Sequence, residues 1–202
     1  MTMRTAATVF AILLVWAAAQ PRASAQQITA KLRPAETHIE ITLPATMHTV
    51  HGSFRLKSGV IDYDPATGTA NGEIVVDAAS GKTGNEGRDR KMHREVLESE
   101  KYPRIVFRPR KISGDLSVRG GSTLQMEGTF ELHGTDHPFS MTVQVQSATN
   151  SLTASTRFMI PYVEWGIKNP STFLLHVSNK VDVVVTSVAD VVPGGQYKGS
   201  DH

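Results

Sequence analysis

The sequence predicts an all-β domain, an antiparallel barrel or sandwich of about eight strands with one short helical segment. Three observations lead there. Apolar residues recur at every second position through most of the chain, turn residues separate these runs at hairpin spacing, and the period disappears only between Asn85 and Ser99. Such alternation puts one face of a strand on a core and the other in water.

Residues 1–25 come first and read as an export signal. Arg4 supplies a short positive region, Ala6 to Ala19 is an apolar run broken only by Thr8, and Ala23-Ser24-Ala25 is a small-x-small cleavage site. The run is too short to span a bilayer comfortably, so stable membrane insertion is not expected. The expected domain covers residues 26–190. Its first strand carries Ile39, Ile41 and Leu43 in alternation with His38, Glu40 and Thr42. Asp64-Pro65-Ala66-Thr67-Gly68 and Asn71-Gly72 mark early hairpin turns. From Asn85 to Ser99 the spacings Met92–Val96, Lys91–Glu95 and Arg94–Glu98 predict a surface helix with one thin apolar edge, and Pro103 ends it.

After Ile105-Val106-Phe107, the residues Leu124, Met126, Phe130 and Leu132 alternate with polar partners. So do Phe139, Met141, Val143 and Val145, and then Leu152, Ala154, Phe158 and Ile160. Arg119-Gly120-Gly121-Ser122 and His133-Gly134-Thr135-Asp136-His137-Pro138 are the connecting turns. Phe173, Leu175 and Val177, then Val181 to Val185, predict the last strands, and residues 191–202 read as a disordered polar tail.

Charge excludes one large class of function. The full chain has 21 Lys+Arg and 19 Asp+Glu; without Arg4 and Arg22 the exported chain has 19 of each and is formally neutral. The basic balance belongs to the export signal, so nothing favours a nucleic-acid partner. With no cysteine, an exported chain of this length must be held by its core rather than by disulfides.

Chemistry-bearing constellations are sparse. There is no Gly-x-Ser-x-Gly elbow, no phosphate-binding glycine loop and no dinucleotide fingerprint. The acids fall on outward positions or in turns. His48 and His51, and His133 and His137, have ligand-like spacings, but they flank strand ends and turns, where three and four residues apart do not share a face. No metal site is expected. Arg88, Arg90, Lys91 and Arg94 read either as an anion-binding cluster or as a solvated helix face.

An ordered set of short motifs resembles one family. Val50-His51-Gly52-Ser53-Phe54 resembles its early Val-x-Gly-x-Phe strand. Asp77-Ala78-Ala79-Ser80, Thr83-Gly84-Asn85-Glu86 and Arg88-Asp89 resemble its central signature. Glu100-Lys101-Tyr102-Pro103 with Ile105 and Phe107, Leu132-His133-Gly134 with Pro138, and Phe158, Gly166 and Ile167 continue the match. On these residues the chain resembles the YceI-like family of lipid- and polyisoprenoid-binding proteins over about residues 29–188. Two departures stand near a barrel end. Pro44-Ala45-Thr46-Met47 replaces a Lys-His-Leu-Gly-Phe-like run, and His137 takes a position often held by lysine.

The resemblance implies a lipocalin-like antiparallel barrel whose apolar interior holds a prenyl chain or similar lipid, and it implies no catalysis and no resident cofactor beyond such a lipid, a quinone included. Ile41, Phe54, Ile74, Val76, Phe107, Met126, Phe130, Met141, Val143, Phe158 and Phe173 fall on inward faces and form the expected lining. Asn85, Arg88, Asp89, Arg90 and Trp165 are the expected headgroup or lid residues. The expected partner is a long-chain isoprenoid or other lipid, in the periplasm or outside the cell, with a homodimer compatible with the sequence. Two other readings stay open: a module with a filled core that uses the charged face around residues 88–111, and an enzyme acting on a lipid held in the barrel.

Overall fold

The computed structural model describes residues 27–46, 48–117, 119–172 and 176–193. Eight antiparallel strands close into a barrel in sequence order: β1 (Ile28–Leu43), β2 (Val50–Tyr63), β3 (Ala70–Lys82), β4 (Arg104–Ser113), β5 (Gly120–Leu132), β6 (Thr135–Ser147), β7 (Ser151–Ile160) and β8 (Val181–Pro193). Closure satisfies the edges that an open sheet would expose. Between β3 and β4 lie a helix, α1 (Glu86–Lys91), and a turn of π-helix (Met92–Val96).

The period-two runs are the strands, and their apolar members point inward. Ile39, Leu56, Phe107, Met126, Phe130, Val143, Ile160 and Val183 belong to one buried cluster. The strand expected at 173–177 is not formed as such. Val177 makes only an isolated bridge with Ala45, and residues 173–175 lie outside the described residues. At the other limit, β8 runs on to Pro193, opposite Ile28, so residues 191–193 of the expected tail belong to the barrel. Residues 1–26 and 194–202 also lie outside the described residues. Among the described residues no helix is long and apolar enough to cross a membrane.

Outside the barrel, β3 and β4 carry a second, smaller apolar layer. Val75 and Val106 face each other in the ladder and are buried, although their neighbours Ile74, Val76, Ile105 and Phe107 take the inward parity. Ion pairs flank them: Arg104–Glu73 at 2.8 Å, Arg108–Glu131 at 2.6 Å and Arg108–Asp136 at 3.5 Å. Arg104 and Arg108 are therefore committed within the fold.

A register shift in β1 between Leu32 and Thr37 is clamped across the barrel wall. Arg33 donates to Asp190 from Nε (3.1 Å) and Nη2 (2.5 Å), and from Nη1 to Glu36 (3.0 Å). The hydrogen bonds from Arg33 hold the Asp190 carboxyl below the usual carboxylate range. A carboxylate with a depressed folded-state pKa contributes stability above its unfolded value, and that contribution is lost as pH falls through the folded value. Asp190→Asn should therefore lower the melting temperature at neutral pH. The gap from the parent protein should close on acidification below about pH 4, as thermal melts across that range would show.

Candidate functional site

The upper part of the barrel is hollow. A cavity of about 610 Å³ lies beneath the 83–97 segment, within the size range of small-molecule sites. Every strand contributes to its wall. Ile39 and Ile41 come from β1, Phe54 and Leu56 from β2, Ile74 and Val76 from β3, and Ile105 and Phe107 from β4. Phe130 and Leu132 (β5), Met141 (β6), Phe158 and Ile160 (β7), and Val181, Val183 and Val185 (β8) complete the ring. Thr37 and Thr156 are the polar strand side chains on the wall. Both are engaged: Thr37 Oγ1 contacts Arg33 O at 2.8 Å and Ser187 Oγ at 2.7 Å, and Thr156 Oγ1 donates to Thr142 O at 2.7 Å. The interior thus offers hydrocarbon and no unsatisfied hydroxyl, which suits an apolar guest.

Charge enters only at the mouth. Arg88 and Lys91 reach the cavity from α1, with Thr83, Asn85 and His48 beside them, and among the described residues no Asp or Glu lines it. Asn85 caps α1 by accepting from Arg88 N at 2.9 Å. Gly84 opens the segment at φ +78, a left-handed conformation that costs glycine little. Asp89 Oδ1 accepts from Thr83 N at 2.9 Å and from Thr83 Oγ1, while Arg88 donates to Thr83 Oγ1 and Thr83 O, each at 2.7 Å. Asp89 therefore fixes the root of the lid and does not line the cavity.

Met92 and Val96, the thin apolar edge of the sequence, face the cavity, and Leu97 joins them. The expected Lys91–Glu95 and Arg94–Glu98 pairs are not the ones formed. The π-helical turn moves the side chains off four-residue spacing. Glu95 instead meets Lys168 at 3.5 Å in the β7–β8 connection, and Glu98 accepts from His133 Nε2 at 2.7 Å. His93 ties the lid to β3. Its Nε2 donates to Gly81 O at 2.9 Å, which leaves Nδ1 to accept from the buried Ser99 Oγ at 3.2 Å.

Asp89→Ala should free Thr83 and Arg88 and loosen this segment by the ~1.5–3 kcal/mol of hydrogen bonds to a charged group. Amide exchange within residues 83–97 should quicken by one to two orders of magnitude. The β5 amides should not change.

A family model for the YceI-like domain matches residues 31–189. The chain belongs to the YceI-like domain family. Its fold is similar to solved structures of three organisms. Burkholderia cenocepacia BcnA gives a TM-score of 0.64 at 14% identity, over 78% of this chain and 98% of that one. A polyisoprenoid-binding domain from Saccharophagus degradans, implicated in plant cell wall breakdown, gives 0.64 at 17% identity, over 81% and 98%. The Campylobacter jejuni YCEI protein gives 0.58 at 19%, over 72% and 86%. No curated protein matches the chain in sequence.

In this YceI-like barrel, Ile41, Phe54, Ile74, Val76, Phe107, Phe130, Met141 and Phe158 stand on the cavity wall, and Asn85 and Arg88 at its mouth. Met126 and Val143 do not. They point inward but are packed below the cavity, because parity fixes the direction of a side chain and not its depth. Arg90 lies on the outer side of α1, exposed and 3.5 Å from Glu86. Phe173 lies outside the described residues.

Trp165 is also absent from the wall, and it has a different task. β6 and β7 are laddered only over Val143–Ser147 with Leu152–Thr156. Above that point the two strands part, and aromatic rings fill the gap. Trp165 stacks on His137 at 4.2 Å with 3° between planes, and its ring centroid is 5.6 Å from Phe130 and 5.9 Å from Phe139. Phe139 and Phe158 meet edge to face at 5.2 Å.

Several wall residues escaped the sequence reading, among them Ile39, Leu56, Ile105, Leu132 and Val183. The signal was available for the first four, since each shares inward parity with a residue chosen on its own strand, whereas Val183 stands in a nearly continuous apolar run with no parity to read. Lys91 was seen only as part of a charge cluster. The mouth residues Tyr162 and Ile167 sit on a long connection with no period to read. Among the described residues, no cluster of His, Asp and Glu could hold a metal.

Proposed function

We propose that this protein is an exported carrier that holds a polyisoprenoid or related long-chain lipid with its tail in the barrel and its head at the Arg88–Lys91 mouth. The observation that carries the reading is the hollow interior: a cavity walled by hydrocarbon on all eight strands, with charge at one end only. Membership of the YceI-like family supports it, as does the likeness in fold to a polyisoprenoid-binding domain. Burying a methylene is favourable by about 0.8 kcal/mol, so a five-carbon unit contributes a few kcal/mol against the cost of association.

At the mouth, Arg88 and Lys91, with no carboxylate lining the cavity among the described residues, favour an anionic head, such as a phosphate, over a neutral quinone ring. The protein carries its ligand and does not transform it. What supports this is that, among the described residues, the cavity wall below the mouth carries no acid, base or activated nucleophile. Export follows from the signal-like residues 1–25.

Mass spectrometry of an organic extract of gently purified protein tests the reading. A prenyl or other long-chain lipid near one equivalent is the expected result. Extracts free of lipid, together with no uptake of added prenyl phosphates or prenols, would refute it.

A further inference from the structure

The cavity occupies only part of the barrel, and the reason lies in a constriction that the strands themselves make. Below Leu56 and Phe130, the next inward positions on β2 and β5 are glycines, Gly59 and Gly128. Neither has room for a side chain. A Cβ on Gly59 would lie 3.0 Å from Leu32, and one on Gly128 would strike Arg108 O and lie 2.9 Å from the Phe107 ring. The strands are bent at the same level, with register shifts between Leu32 and Thr37, Leu56 and Ser58, and Pro109 and Lys111. Bulges and inward glycines of this kind draw a barrel wall in. Beneath this waist Ile61, Met126 and Val143 are buried and off the cavity wall, and Tyr63 and Leu124 close the base.

We infer that this packed floor limits how much of a lipid tail the protein buries, so that Met126 and its neighbours determine ligand length. The inference rests on the lipid-binding reading above. Along β2 the wall runs from Val50 to Leu56, about 20 Å of strand and roughly 15 Å along the axis of a barrel whose strands tilt by about 40°. A five-carbon prenyl unit has four chain bonds of about 1.5 Å and advances by about 5 Å. The cavity then takes about three to four units with the lid segment included. Any remainder of a longer tail stays outside and adds little affinity.

A graded series of all-trans prenyl alcohols, from about two to about eight units, tests this by titration against the full chain. For the parent protein, affinity should rise at least tenfold per unit up to about three or four units and then level off. Met126→Ala opens the floor, and its plateau should move to longer alcohols by one unit. Val185→Phe projects a ring into empty space at the deep end, leaves no hole in the core, and should move the plateau one unit shorter. It keeps the test intact if Met126→Ala does not fold. Affinity that keeps rising to the longest alcohol, or a plateau that neither folded variant moves, would overturn the floor while leaving lipid binding in place. Failure of the parent protein to bind any alcohol, with no lipid in its extract, would overturn the binding reading and this inference with it.

Discussion

Replacing Ile41 by aspartate should abolish lipid binding and leave a folded barrel. Ile41 lies on β1 opposite Gly52 and Val183 and lines the cavity without being part of its tightly packed cluster. In the empty protein an aspartate there can take water from the mouth. With a tail in place it must either lose that water against hydrocarbon or take up a proton. Either costs several kcal/mol, which corresponds to about a thousandfold or more in affinity. Thr42→Asp is the matching control. Thr42 has the opposite parity and points its hydroxyl at His51 on the outside, at 3.3 Å. Mass spectrometry of extracts should find lipid with the Thr42 variant and none with the Ile41 variant, while both melt cooperatively. Lipid retained by a folded Ile41→Asp protein would place the binding site outside this cavity.

The contrast between neighbouring positions 41 and 42 also explains what the sequence could convey. A strand has a period of two, so its inward set is fixed once a few residues are placed, and the barrel followed from that regularity. Met126 and Val143 obey the same parity as Phe130 and Met141, yet they are floor and not wall. The difference is made where Gly59 on β2 and Gly128 on β5, two residues from Met126, bring the walls together, and a period of two does not register the depth at which that happens. The lid was legible as a helix because Met92 and Val96 share an edge. Its ion pairs were not, since a single π-helical turn sends Glu95 to Lys168 and Glu98 to His133. Asp89 stands among the expected headgroup or lid residues, and only the fold brings it to Thr83 at the root of the lid. Trp165 sits on a connection without period. Its partner His137 is 28 residues earlier, on a strand edge that pairing rules would have filled with β7.

That unpaired edge makes Phe130 the side chain on which the upper barrel most depends. Over most of the circumference, neighbouring strands are joined by backbone ladders that survive the loss of any one side chain. Between β6 and β7 above Val143 and Thr156 there is no ladder, and the join is made by rings. Phe130 stands among them, 5.5 Å from Phe139, 6.3 Å from Phe158, 5.6 Å from Trp165 and 6.4 Å from Phe107. Phe130→Ala should cost about 3–5 kcal/mol, the range for deleting a buried aromatic ring. For a domain of this size that is a fall of roughly 10 °C in melting temperature. Phe107→Ala is the comparison that isolates the seam, because Phe107 is equally buried but lies on a strand with ladders to both β3 and β5. Both variants should lose stability, but only Phe130→Ala should speed amide exchange selectively at residues 135–142 and 157–160. If exchange there quickens no more than in the Phe107 variant, something other than the aromatic cluster holds β6 to β7.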